Sequence, residues 1–356
     1  MPTPKQGTPT PRPPRAWLAV VALGYAAAGC ANFQDVSTII DLRILGVMAE
    51  PPEIYLDPAT VDPTDETQVE RSTVTALVVD PAGQMRPVSY AALACPREID
   101  TVTAATGRSG VVCAHDAPTT REVLDPPGPR DTTDPGPQHL ITFPFAASSR
   151  DLAGAFALDP AAAAGFQLPI VIQLELAAGA ESIVSTKRVI FSTPIEGHQD
   201  QSPNANPRIE KVTVYQARDA LANAIDPGEL APTVEGQPPV VTVPLGGQLW
   251  FEPGGAVAEP YATRTLTRDN PPQVIITDVA AETLRYAYFT TAGAFAPPET
   301  STVLRPILDQ DRAHIESRYS APSVMPDNPT LTIWIVVRDE RGGASWTTRQ
   351  ILLVQP

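Results

Sequence analysis

The stretch "PIVIQLELAAGAESIVSTKRVIF" (169–191) decides the fold. Ile172, Leu174 and Leu176 alternate with Gln173 and Glu175, and a period of two places successive side chains on opposite faces of a strand. A second run of strand type follows after a short break, which makes the segment a β-hairpin. "LTIWIVVRDERGGASWTTRQILLV" (331–354) has the same design. Ile333, Ile335 and Val337 each lie 161 residues after Ile172, Leu174 and Leu176, and Thr347 and Arg349 stand at that distance from Thr186 and Arg188. The common offset predicts hairpins of equal length. The alternate positions differ: Trp334 and Val336 stand where the first copy has Gln173 and Glu175. One solvated face is therefore expected in the first hairpin and a covered one in the second.

Working outward, six more stretches read as strands: 72–80, 87–95, 182–191 within the first hairpin, 207–215, 284–291 and 346–354 within the second. Three further blocks recur in the same order. Arg43-Ile44…Val47 matches Arg208-Ile209…Val212, "VVDPAG" (78–83) matches "WFEPGG" (250–255), and "SYA" (89–91) matches "RYA" (285–287). Blocks in one order indicate a duplicated unit. Each unit has an early strand, an acid-Pro turn, an inner strand, a variable stretch and a terminal hairpin. The 41 prolines punctuate short segments, because proline breaks helix interiors and central strands. A short helix is expected only at 216–224. The variable stretches 96–139, 254–277 and 292–330 are loops on which binding would sit. "RDERGG" (338–343) reads as a hairpin turn, not as an Arg/Gly nucleic-acid motif.

Strands of this kind close two sheets on one apolar face. The fold class is all-β, and the pattern resembles the tandem immunoglobulin-like β-sandwiches of bacterial surface proteins, including the PKD and cadherin-like types. The resemblance covers 41–193 as a first sandwich and 207–356 as a second, with 194–206 as a polar linker. The Cys-Trp-Cys framework of antibody domains is missing.

The beginning of the chain is of another character. Lys5, Arg12 and Arg15 precede the uncharged run "AWLAVVALGYAAA" (16–28), and Cys30 follows Gly29. A basic start and a short apolar core have signal-peptide design, too short for a bilayer span of about 20 residues. "AAGC" (27–30) is similar to the lipobox of bacterial lipoproteins. That resemblance implies a signal peptide over 1–29, a diacylglycerol and an acyl chain on Cys30 as the first mature residue, and a tether over 30–40. Ala31, in place of an aspartate, implies forwarding to the outer membrane. Lasting attachment takes more than one chain.

The net charge of −15 becomes −18 once Lys5, Arg12 and Arg15 are removed, which disfavours nucleic acid as a partner. With Cys30 lipidated, Cys95 and Cys113 remain. In an oxidising envelope compartment they are expected as a disulfide. The alternative is a metal site from Cys95, Cys113 and His115, without a clear fourth ligand. No HExxH or GxSxG motif and no phosphate-cradling glycine loop is present. Asp309 and Asp311, with Asp269 and Asp327, are weak Ca²⁺ candidates beside their reading as solvated loop acids. Tyr286, Tyr288, Phe289 and Trp334 are read as core. No cofactor is expected. The function expected is that of a non-enzymatic envelope lipoprotein, membrane-held through Cys30, with a protein or envelope-polymer partner. The rivals are an accessory protein or hydrolase with its site in 96–139 or 292–330, and a calcium-stiffened adhesin with acids converging near 192–210.

Overall fold

The computed structural model describes residues 35–56, 68–81, 86–95, 98–102, 109–113, 120–124, 127–132, 137–149, 151–153, 168–195, 197–198, 200–215, 240–267, 273–303 and 315–356. The leader with Cys30, the segment 216–224, and His115, Asp269, Asp309 and Asp311 lie outside them.

The first half contributes β1 (Arg43–Glu50), β2 (Glu53–Tyr55), β3 (Gln68–Val79), β4 (Ser89–Cys95), β5 (Glu98–Val102), β6 (Ser109–Cys113), β7 (Arg121–Glu122), β8 (Arg130–Asp131), β9 (Gln138–Ser148), β10 (Leu168–Ala178) and β11 (Glu181–Ser192). One sheet has the order β1-β3-β9. The facing sheet has the order β2-β11-β10-β4-β7, with β8 also on β4. The second half contributes β12 (Lys211–Tyr215), β13 (Val240–Pro244), β14 (Gln248–Gly254), β15 (Tyr261–Leu266), β16 (Val274–Val279), β17 (Arg285–Thr290), β18 (Ala294–Ala296), β19 (Glu299–Ser301), β20 (Ser317–Ser320), β21 (Thr330–Arg338) and β22 (Ala344–Val354). Its sheets run β12-β14-β20-β18 and β13-β22-β21-β17-β19.

The two orders are the same plan. β1-β3-β9 corresponds to β12-β14-β20, and β2-β11-β10-β4 to β13-β22-β21-β17. In both halves the short second strand pairs parallel with the last strand. This is the immunoglobulin-like sandwich, present in tandem. Each has its own core: Val74, Phe143, Phe145, Ile172, Leu174 and Phe191 lie in the first, and Phe251, Tyr286, Tyr288, Phe295, Tyr319 and Ile335 in the second. In the second core Phe251 and Phe295 meet edge to face at 5.7 Å, the geometry that ring quadrupoles favour. Phe251 is fully buried, whereas its neighbour Trp250 lies on the other face, under the guanidinium of Arg318.

Register tests the sequence matches one by one. Leu176 stands opposite Tyr90, and Val337 opposite Tyr286, so "SYA" and "RYA" are equivalent. The expectation of equal hairpins needs correction. Ile172 pairs with Lys187, but Ile333 pairs with Arg349, so Arg349 is the counterpart of Lys187 and not of Arg188. The second hairpin is one residue longer. The acid-Pro block also divides. Asp80 follows the end of β3, whereas Glu252 lies inside β14. Asp80 is fully buried and holds Arg86 in a two-pronged pair at 2.7 and 2.9 Å. Glu252 instead accepts from the Tyr215 hydroxyl across the sheet.

β9 falls largely beyond the loop expected over 96–139. It buries His139, Ile141, Phe143 and Phe145 on one face. Pro144 obscured the alternation. It is tolerated because β9 is an edge strand, where one row of amides is not needed.

Candidate functional site

The two sandwiches meet through a third apolar cluster. Leu45, Leu77 and Val79 of the first and Trp334 and Val336 of the second are its buried members, with Ile39, and Phe289 and Trp346 pack against them. The Trp334 indole donates to Gln138 Oε1 at 2.7 Å across the boundary. The covered face expected of the second hairpin is thus covered by the first sandwich. In the first hairpin the same positions are covered in part: Val171 and Gln173 are buried and Glu175 is half-buried. The cover there is the disulfide between Cys95 and Cys113, packed on Val171, with the Cys113 amide donating to Gln173 Oε1 at 2.6 Å.

A polar network flanks the apolar joint. The turn after β21 holds Asp339 and Gly343 together and brings Arg341 and Gly342 against the first sandwich. Gly343 has no room for a side chain, since a Cβ would come within 2.2 Å of Asp339 Oδ2. Arg341 reaches Glu53 of β2 at 2.8 Å, both side chains being buried. Glu53 also accepts from the Ser192 hydroxyl at 2.7 Å and the Asn204 amide at 2.6 Å. Asn206 donates to the Ala49 carbonyl at 2.7 Å and accepts from the Ala344 amide at 2.9 Å. Asn204 and Asn206, within the segment 194–206 read as linker, are therefore bonded parts of the joint. Residues 37–39, read as tether, run beside β17: Ile39 donates to Thr290 and Thr290 to Ser37, and Ser37 and Ile39 are fully buried.

Two clefts open at this joint. One, of about 340 Å³, is lined by Ile44 to Val47, Ser185 to Arg188, Arg338, Asp339 and Gly342 to Ala344. Lys187 points into it from β11 and donates to the Gly342 carbonyl. Burial, partly offset by Asp339, pushes the Lys187 amine down to about 8. The other, of about 450 Å³, is lined by His198, Asp200, Glu259, Tyr261, Asp278 and Arg341, among others. Beside it Glu282 is buried, with Oε2 lacking a partner among the described residues. Burial, reinforced by Asp339, pushes its carboxyl up to about 7. Among the described residues, no three His, Cys, Asp or Glu side chains are grouped to hold a metal ion.

Of the residues singled out in the sequence, Cys95 and Cys113 are joined to each other, which leaves no thiolate for a metal. Asp327 is exposed on a loop. Tyr286, Tyr288 and Trp334 are core. His139 is buried, both ring nitrogens lacking partners among the described residues, and His198 faces Asp278 at 3.4 Å. Glu53 and Lys187 were not singled out, and Arg338 and Arg341 were read only as part of a hairpin turn. The signal available was the charge density of the 338–343 turn and the scarcity of lysine, since Lys5, Lys187 and Lys211 are the only three.

No known protein family matches the sequence, and no curated protein does. Among solved structures, a chimeric titin Z1Z2–Z1Z2 tandem is similar at 9% identity, with 88% of this chain and 99% of that one covered and a TM-score of 0.18. Red sea bream transglutaminase is similar at 9% identity, covering 94% and 33%, with a TM-score of 0.19. Activated Escherichia coli alpha-2-macroglobulin is similar at 8% identity, covering 91% and 23%, with a TM-score of 0.21. These overlaps are loose, and strand order and register define the sandwiches.

Proposed function

We propose that this is a non-enzymatic, lipid-anchored envelope lipoprotein whose two sandwiches form one stiff arm for holding or spacing a partner. The observation that carries the reading is the shared cluster of Leu45, Leu77, Val79, Trp334 and Val336. A flexible pair of modules leaves such faces polar, whereas a buried joint fixes their relative direction. The basic leader and "AAGC" before Ala31 support acylation of Cys30 and residence at the outer membrane, and the repeated unit fits a PKD or cadherin-like type. The partner in this reading is a protein or an envelope polymer.

Labelling with a radioactive fatty acid, followed by membrane fractionation, tests the anchor. Label should enter the wild type and be lost from Cys30→Ala, which should stay uncleaved or leave the membrane. Label persisting on the variant overturns the anchor. Crosslinking in intact envelopes followed by mass spectrometry tests the partner reading, which fails if only random neighbours are recovered.

A further inference from the structure

We propose that the cleft of about 340 Å³ between the sandwiches is an oxyanion site, in which Lys187 and Arg338 hold a carboxylate or phosphate group. An ammonium carries three donors. Among the described residues, that of Lys187 has one hydrogen bond, to the Gly342 carbonyl. A buried ammonium without further acceptors is costly, and such groups are found paired. The acid in the lining, Asp339, favours the charged amine but makes no hydrogen bond to it. Asp339 accepts from the Gly343 amide at 2.6 Å through Oδ1 and from the Asn204 side chain at 3.1 Å through Oδ2. The other charged group facing the amine across the cleft is a cation, Arg338, held over β1 by a 2.5 Å bond to the Leu45 carbonyl. The wall from β1 is Ile44, Leu45, Gly46 and Val47, without a charge. The lining thus sets the cations Lys187 and Arg338 against one acid, Asp339, while Glu299 acts on Arg338 from outside the cleft.

The direction of the amine's titration agrees with the geometry. Its value lies near 8, below the ordinary lysine range. A bound anion favours the charged amine and raises that value. Binding is therefore strongest below about pH 8 and fades as the amine loses its proton above it.

The experiment uses the whole chain after removal of the leader. Inorganic phosphate and acetate are titrated separately by calorimetry at pH 7, with chloride at matched ionic strength as control. Saturable heat with at least one oxyanion, and none with chloride, is expected. Saturation by phosphate alone assigns a phosphate-bearing ligand, and by acetate alone a carboxylate. Lys187→Met should abolish saturation, and Arg338→Gln should weaken it about tenfold, the loss of one charged hydrogen bond. ¹⁵N-lysine NMR of the wild type is the second measurement, independent of whether Lys187→Met folds. With so few lysines the spectrum is assignable, and the Lys187 signal should titrate at higher pH in the presence of the binding anion while Lys211 stays put. Absence of saturation with both anions, or a Lys187 titration indifferent to both, overturns the site.

Discussion

The terminal hairpins of the two sandwiches share a ladder and differ in the turn. In the first, Ala178 pairs with Glu181 across Gly179 and Ala180, and the Gly179 φ of 61° suits so tight a reversal. In the second, Glu340, Arg341 and Gly342 span the turn, and Arg341 reaches Glu53 of the neighbouring sandwich. The outer faces diverge in the same way. Gln173 and Glu175 occupy the places of Trp334 and Val336. One hairpin end is a simple reversal, and the other is half of an interface. A one-residue difference in length and two changes on one face separate a hairpin covered by its own disulfide from one covered by the neighbouring sandwich.

The strongest way to break this comparison is to separate the halves. Residues 207–356 expressed alone would expose Trp334, Val336, Phe289 and Trp346, and exposed patches of that kind drive association. The isolated second half is expected to aggregate or to bind a hydrophobic dye strongly, measured by light scattering and dye fluorescence. The same cluster predicts that limited proteolysis will spare 200–207. Rapid cleavage there, yielding two stable fragments, would show the sandwiches to be independent.

Next come single substitutions. Arg341→Ala leaves Glu53 buried without its cation, a change that costs about 3–5 kcal/mol. Ala180→Ser, at the other turn, is expected to stay within about 0.5 kcal/mol as a surface change. Urea unfolding of both variants measures the contrast, and equal effects would refute the assignment of the joint to the longer turn. Trp334→Ala removes the largest side chain of the shared cluster and costs about 3–5 kcal/mol.

Glu282 gives a pH-dependent comparison. Its folded value of about 7 lies above the ordinary glutamate value. The fold therefore prefers the neutral carboxyl. The penalty is absent below about pH 4.5, grows as pH rises toward 7, and is then complete. At about 1.4 kcal/mol per unit, it reaches roughly 3 kcal/mol. Glu282→Gln should stabilise the protein at pH 8 by up to that amount and be nearly neutral at pH 4. A pH-independent effect would show that the carboxyl titrates normally.

Much of this was legible in the sequence because strands with one solvated face alternate openly. The 333–337 run also announced a covered face, through Trp334 and Val336. What covers it was harder to read. "TALVVD" (75–80) is apolar at consecutive places from Ala76 to Val79, the mark of a strand buried on both sides. Leu77 and Val79 do face the joint while Ala76 and Val78 face the core. The Glu53–Arg341 pair could not be read. Its members are 288 residues apart, and ion pairing leaves no periodic trace. The length match of the hairpins failed because β22 carries Thr347 and Thr348 side by side and β11 carries Lys187 and Arg188 side by side, so an offset of one was invisible without the ladder.

The smaller effect on the outer faces concerns Gln173, the counterpart of Trp334. Its side chain is the buried acceptor for the Cys113 amide, so Gln173→Ala strands that donor at a cost of about 1–2 kcal/mol. The cost depends on the disulfide. Cys113 belongs to β6, which pairs with β5 and reaches the sheet at the Cys95–Cys113 bridge. Once the bridge is reduced, the amide can turn to water, and its orphaning no longer has a price. Denaturation of wild type and variant should therefore differ in oxidising buffer and nearly coincide under a thiol reductant. The equivalent experiment on Trp334→Ala should show no redox dependence, because its face is held by the neighbouring sandwich and not by a bridge. Equal costs for Gln173→Ala in both buffers would mean that the hairpin stays docked without its disulfide, and that the two outer faces are covered by the same means.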